Sequence, residues 1–101
     1  MKIHLIRHAH AGSRKGWGGD DVDRPLSPRG REQAAAISAA LADAGIDLLL
    51  SSAYVRCVQT LEPLAEATGC PIQVADPLAE GGGGAEALDL LLRLAADGRT
   101  V

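Results

Sequence analysis

The sequence predicts an α/β protein, a three-layer α/β/α sandwich around a mostly parallel sheet. Three observations point there. Short β-branched or apolar runs alternate with helical-period stretches along the whole chain, which is the signature of a sheet covered by helices. The run Ile46–Leu50 is apolar without alternation, as a strand buried on both faces must be. The composition is 47% hydrophobic and 23% charged, which suits a packed domain and excludes a disordered chain or a coiled coil. The 101 residues form a single domain, residues 1–101.

Each element has its own signal. Lys2–Ile6 reads as the first strand, with Ile3, Leu5 and Ile6 apolar. Ala11–Gly19 holds four glycines and reads as a loop, which Asp20–Pro25 continues. Ser27-Pro28 marks a helix start, with Ser as N-cap and Pro at the first helical position. Ala34, Ile37, Leu41 and Ala44 keep helical spacing, and Gly45 stops the helix. After the strand at Ile46–Leu50, Tyr54 to Thr68 reads as a second helix that Pro63 should kink or divide and Gly69 ends. Ile72–Val74 is a short strand between Pro71 and Pro77, and Gly81–Gly84 a loop. Ala85–Ala96 is a third helix, with Asp89 and Arg93 as an i,i+4 pair. Thr100-Val101 reads as the opening of a further strand. A buried parallel strand needs several residues, so the domain is expected to be incomplete at its C-terminus.

Apolar content is mostly Ala and Leu, and Trp17 and Tyr54 are the whole aromatic complement. Such a core is aliphatic, and its helices must approach on alanine faces. Cys57 and Cys70 do not have metal-site spacing and read as semi-buried thiols of a reduced, cytoplasmic chain. The N-terminal segment is charged too early for a signal peptide, and no apolar run is long enough to span a membrane. Net charge is −3, which argues against nucleic-acid binding. The distribution is uneven. Residues 1–31 hold seven of the ten Lys and Arg against three acids, giving +4 there and −7 in the remainder. A basic first third on an acidic protein points to a local anion site.

Arg7-His8 closes the first strand, where ligands bind in open α/β sheets. Arg brings a forked cation suited to phosphate, and His brings a nitrogen nucleophile or base. The second strand ends at Ser51-Ser52, with Arg56 just beyond it near the start of a helix. Anions favour helix N-termini, and a guanidinium strengthens such a site.

Three blocks carry a family resemblance: LIRHAHAG (Leu5–Gly12), DRPLSPRGREQA (Asp23–Ala34) and SSAYVRCVQT (Ser51–Thr60). Together they resemble the histidine phosphatase superfamily, the phosphoglycerate-mutase-like family, in which Ala often follows the Arg-His pair as Ala9 does here. They look most like the small SixA-type phosphohistidine phosphatases and the phosphatase domain carried by some Nudix hydrolases. The resemblance implies a metal-independent phosphatase that needs no cofactor. His8 would be phosphorylated and then dephosphorylated by water, while Arg7 and Arg56 hold the phosphate oxygens. Glu80, in the loop after the third strand, stands where a proton donor is found in many members. The substrate would be a phosphorylated small molecule or a phosphohistidine protein. The family's second histidine has no match here, since His4, His8 and His10 all lie in the first ten residues. The alternative reading is therefore a phosphate-binding module without catalysis.

Other residues stay open between function and structure. Arg14 and Ser52 are candidate substrate contacts, against a solvated loop and a strand terminator. Lys15 and Trp17 share Arg14's loop. Arg24 reads as a structural partner of Asp20, Asp21 or Asp23. His4, His8 and His10 share parity as zinc ligands would, but neighbouring guanidiniums would oppose a dication. His4 is expected to be buried in the sheet, and His10 to lie at the pocket rim.

Overall fold

A computed structural model describes residues 3–75, 89–90, 92–94 and 100–101. The described elements include α1 at Pro28–Leu41, β1 at Leu49–Ser51, α2 at Val55–Thr68 and β2 at Ile72–Val74, with 3-10 turns at Arg14–Gly16 and Asp21–Asp23 before α1. β1 and β2 pair in parallel with α2 as the crossover, in the register Leu49 to Ile72, Leu50 to Gln73 and Ser51 to Val74. Ala75 N–H donates to Ser51 O at 2.7 Å and extends this pairing. α2 packs on both strands and on α1. Residues 89–90 and 92–94 are helical, inside the expected third helix, and Asp89 pairs with Arg93 at 3.3 Å.

α1 begins as its sequence dictates. Ser27 sits in extended backbone, Pro28 follows, and Ser27 Oγ accepts the Gly30 N–H at 3.1 Å. α2 ends on Gly69 at φ 77°, whose N–H donates to Ala65 O at 2.9 Å. That left-handed conformation suits glycine.

Two expectations are corrected. Pro63 does not divide the second helix, because α2 runs unbroken through it. Leu61 and Leu64 flank the proline and belong to the main core with Ile46 and Leu49, so packing holds the helix across the missing hydrogen bond. Among the described residues the expected first strand forms no ladder. Exposure alternates from residue 3 to 8 as a strand's would. Its described backbone pairing, however, is one bond, His4 N–H to Val101 O at 2.9 Å. Thr100 and Val101 lie between this segment and the approach to β1: Asp47 N–H donates to Thr100 O at 2.8 Å, and Thr100 N–H to Asp47 Oδ2 at 3.0 Å.

A second, smaller cluster joins Ala9, Leu26 and Ala34. It brings the His8 segment and the end of the 12–25 loop onto α1. Ala34 is 1% exposed, whereas Ala35, Ala36, Ala39 and Ala40 are exposed, so α1 does not present the alanine face that was expected.

Candidate functional site

The segment after His8 is fastened on both sides. Ala9 N–H donates to Thr60 Oγ1 at 2.9 Å, and that hydroxyl donates to Arg56 O at 2.7 Å, tying the segment to α2. His10 N–H donates to Gln33 Oε1 at 2.8 Å, and Ser27 N–H to His10 O at 3.0 Å, tying it to α1. Gly30 is required here, since a Cβ at that position would lie 1.9 Å from His10 O. An antiparallel bridge between Ala11 and Leu26 closes the base of the intervening loop.

His8 is half-buried, and its Nδ1 lies 2.8 Å from Ala9 O. A carbonyl only accepts, so Nδ1 carries the proton in that bond. In the neutral ring, Nε2 then holds the lone pair. His8 lines a mostly apolar cavity of about 210 Å³ together with Ser52, Thr60 and Cys57, with Leu5 and Leu49 among its walls. Ser52 is itself buried, at 3% exposure. Arg7 is exposed. Glu80 lies outside the described residues, as does the Gly81–Gly84 loop.

Arg56 is the most deeply buried cation described, at 1% exposure. Its Nη1 donates to Asp21 O at 2.9 Å and its Nη2 to Asp21 Oδ2 at 3.1 Å. The Tyr54 ring lies 4.6 Å beneath the guanidinium. Arg24 Nε donates to Asp21 Oδ1 at 3.1 Å, Arg24 Nη1 bonds Gly12 O, and Arg14 Nε is 3.4 Å from the same Oδ1. Three guanidiniums thus gather on one carboxylate. Partial withdrawal from water, the largest single influence, pushes the Asp21 carboxyl up. Hydrogen bonds from Arg24 and Arg56 and the charges of Arg56 and Arg14 outweigh it and leave the group below the usual aspartate range.

Sequence reading located Arg24's partner within a set of three and marked Arg56 as a candidate phosphate ligand, but it missed Asp21 as the hub. The signal was the clustering of Asp20, Asp21 and Asp23 beside Arg24; the loop's reach to α2 was not visible. Thr60 was missed too, although it ends the third block. The three histidines have separate partners. His4 Nδ1 lies 3.0 Å from Val101 O, His8 on Ala9 O, and His10 Nδ1 2.6 Å from Ser27 Oγ. Among the described residues no group of three His, Cys, Asp or Glu side chains is placed to hold a metal ion. His4 is half-buried rather than buried. Cys57 and Cys70 are half-buried and free, as read. Among the described residues no helix is long and apolar enough to cross a membrane.

A family model, the histidine phosphatase superfamily (branch 1), matches residues 3–89. The 8-oxo-(d)GTP phosphatase of Mycolicibacterium smegmatis is 48% identical over 64 residues, covering 63% of this chain and 20% of that protein. A solved structure from Agrobacterium tumefaciens, assigned as the phosphohistidine phosphatase SixA, superposes with a TM-score of 0.79 at 32% identity, covering 91% of this chain and 60% of that one. The protein histidine phosphatase SixA in complex with tungstate gives a TM-score of 0.86 at 24% identity over 100% of this chain and 66% of that one, a likeness of fold. The chain therefore spans about three-fifths of the first of these structures and a fifth of the mycobacterial protein. The fold is the phosphoglycerate-mutase-like α/β fold.

Proposed function

The chain belongs to the histidine phosphatase superfamily, branch 1, and from that premise we propose that it hydrolyses a phosphohistidine or a phosphate monoester through a phosphohistidine on His8. The observation that carries this reading is the His8 Nδ1–H bond to Ala9 O, which leaves the Nε2 lone pair available at the end of the first segment. Nε2 attacks phosphorus in line. The bond from phosphorus to the leaving atom breaks, and its electron pair departs with that atom, which takes a proton from an acid for which Glu80 is the candidate. Arg7 and Arg56 hold the non-bridging oxygens and absorb their charge. Water then attacks phosphorus, the N–P bond returns its pair to Nε2, and inorganic phosphate leaves. Arg14 and Ser52 contact the leaving group or its phosphate. The positive charge that Arg14, Arg24 and Arg56 concentrate beside the segment supports an anionic substrate. No step uses a metal ion or cofactor.

Among substrate classes, the phosphohistidine reading rests on the structural likeness to SixA. A nucleotide substrate is favoured by the identity to the 8-oxo-(d)GTP phosphatase. Incubation with an activated aryl phosphate, followed by acid-free quenching and intact-mass measurement, tests the chemistry. A phosphate-sized mass increase mapped to His8 and absent in His8→Ala is expected. Phosphate binding with no turnover and no phosphoenzyme would establish the phosphate-binding module instead.

A further inference from the structure

The reading of Arg56 as a phosphate ligand leaves Asp21 unexplained, since it already occupies that guanidinium. We infer that Asp21 is an internal competitor for the phosphate, a carboxylate that holds Arg14, Arg24 and Arg56 as phosphate oxygens would and must be displaced before the substrate anion is clamped. The inference rests on the phosphate-ligand reading of Arg56 and adds a gate to that site.

The first observation is convergence. One carboxylate receives Arg24 Nε at 3.1 Å, Arg56 Nη2 at 3.1 Å and Arg14 Nε at 3.4 Å. These guanidiniums come from the first turn of α2, the loop before α1 and the 3-10 turn at Arg14–Gly16. Convergence of forked donors on one small anion is how phosphate is bound, and a carboxylate presents two of the oxygens a phosphoryl group would present.

The second observation is the gradient of exposure. Arg56 is 1% exposed, Arg24 12%, and Asp21 30%. The carboxylate stands on the solvent side of the buried guanidinium, so an anion arriving from water meets it first. Arg56 in the first turn of α2 gains nothing from the helix dipole, which disfavours a cation there. A buried cation in that place calls for a counter-anion, and Asp21 supplies one within the chain.

The third observation is that the carboxylate can leave without the loop. Arg56 Nη1 is bonded to the Asp21 backbone carbonyl, independently of its side chain. The turn is braced by Asp23 N–H to Asp20 O at 3.0 Å, Arg24 N–H to Asp21 O at 3.1 Å and Trp17 Nε1–H to Asp20 O at 2.8 Å. A rotamer change of one part-exposed side chain therefore breaks the contact between Asp21 Oδ2 and Arg56 Nη2, with the backbone in place. A carboxylate that stayed would repel the phosphate at close range. A positioning role for Asp21 predicts the opposite sign for its removal, so the two roles separate cleanly.

The test is equilibrium binding of tungstate and of inorganic phosphate by isothermal titration calorimetry. It compares wild type, Asp21→Asn, Arg56→Ala and Asp43→Asn, the last losing one charge beyond the far end of α1. Asp21→Asn is expected to bind both anions about tenfold tighter, as loss of a like charge in contact distance requires. Asp43→Asn should match wild type. Arg56→Ala should lose binding. Equal or weaker binding by Asp21→Asn, with Arg56→Ala defective, overturns the competitor while leaving the phosphate reading intact. Undiminished binding by Arg56→Ala overturns the phosphate reading itself. A crystal structure of wild type with tungstate gives a check that needs no variant. The 3.1 Å contact between Asp21 Oδ2 and Arg56 Nη2 is expected to open beyond 4 Å. Its survival beside the bound anion overturns the inference.

Discussion

At the scale of single residues, the site is built from assignments of charge and proton that the backbone enforces. Ala9 O selects the proton-bearing nitrogen of His8, and Asp21 holds the charge of Arg56. Asp21's carboxyl titrates below the ordinary aspartate value because guanidinium contacts outweigh its partial desolvation. A group whose folded pKa is depressed stabilises the fold above its unfolded value and loses that contribution as pH falls through the folded one. Wild type should therefore melt at a higher temperature than Asp21→Asn near pH 7. The gap should persist to about pH 5 and close once the solution is more acidic than the usual aspartate value of about 3.9. Thermal unfolding of both proteins from pH 7 to pH 3 measures it, and a gap that widens on acidification would contradict the assignment.

At the scale of elements, two helix substitutions separate propensity from packing. Gly→Ala inside a helix ordinarily stabilises by about 1 kcal/mol. At Gly30 the new Cβ would fall 1.9 Å from His10 O, so α1 must shift away from the His8 segment. Gly30→Ala should therefore cost about 1–3 kcal/mol, the usual range for overpacking, read by urea unfolding. Pro63 is the converse. It removes a hydrogen bond from the interior of α2, a penalty of about 3 kcal/mol, against a gain of about 1 kcal/mol from restricting the unfolded chain. Pro63→Ala should stabilise the protein by about 2 kcal/mol, the difference between those terms. These residues also mark how far the sequence was legible. Ser27-Pro28 and Gly69 act within a few residues of themselves, and their roles were readable. Pro63 does not divide α2, because the force that keeps it whole comes from Leu61 and Leu64 meeting Ile46 and Leu49, contacts that no local pattern displays.

At the scale of the whole molecule, the residues that were legible as chemistry are those set at strand and helix ends, and the missed ones act over long sequence distances. Asp21 reaches Arg56 across 35 positions, and Thr60 reaches Ala9 across 51. Thr60 joins the His8 segment by a hydrogen bond to the helix carrying Arg56, the two parts that phosphoryl transfer must hold in register. It is 2% exposed, and Ala9 is 5% exposed, so the Ala9 N–H has no water to turn to if the hydroxyl is lost. Thr60→Val keeps the shape and removes the oxygen. The stranded donor should cost about 1–3 kcal/mol of stability, read by urea unfolding. If the hydroxyl also aligns the nucleophile, His8 phosphorylation by an aryl phosphate should slow by about tenfold or more, since misplacement on the ångström scale is costly in such steps. Thr60→Ser, which keeps the oxygen and gives up one methyl, should recover most of the rate while remaining less stable than wild type. That dissociation of rate from stability is the diagnostic feature. A Thr60→Val protein that is destabilised yet phosphorylated at the wild-type rate would reduce Thr60 to a fastener of the fold and shift the burden of alignment onto His10, Gln33 and the Gly30 contact on the opposite side of the segment.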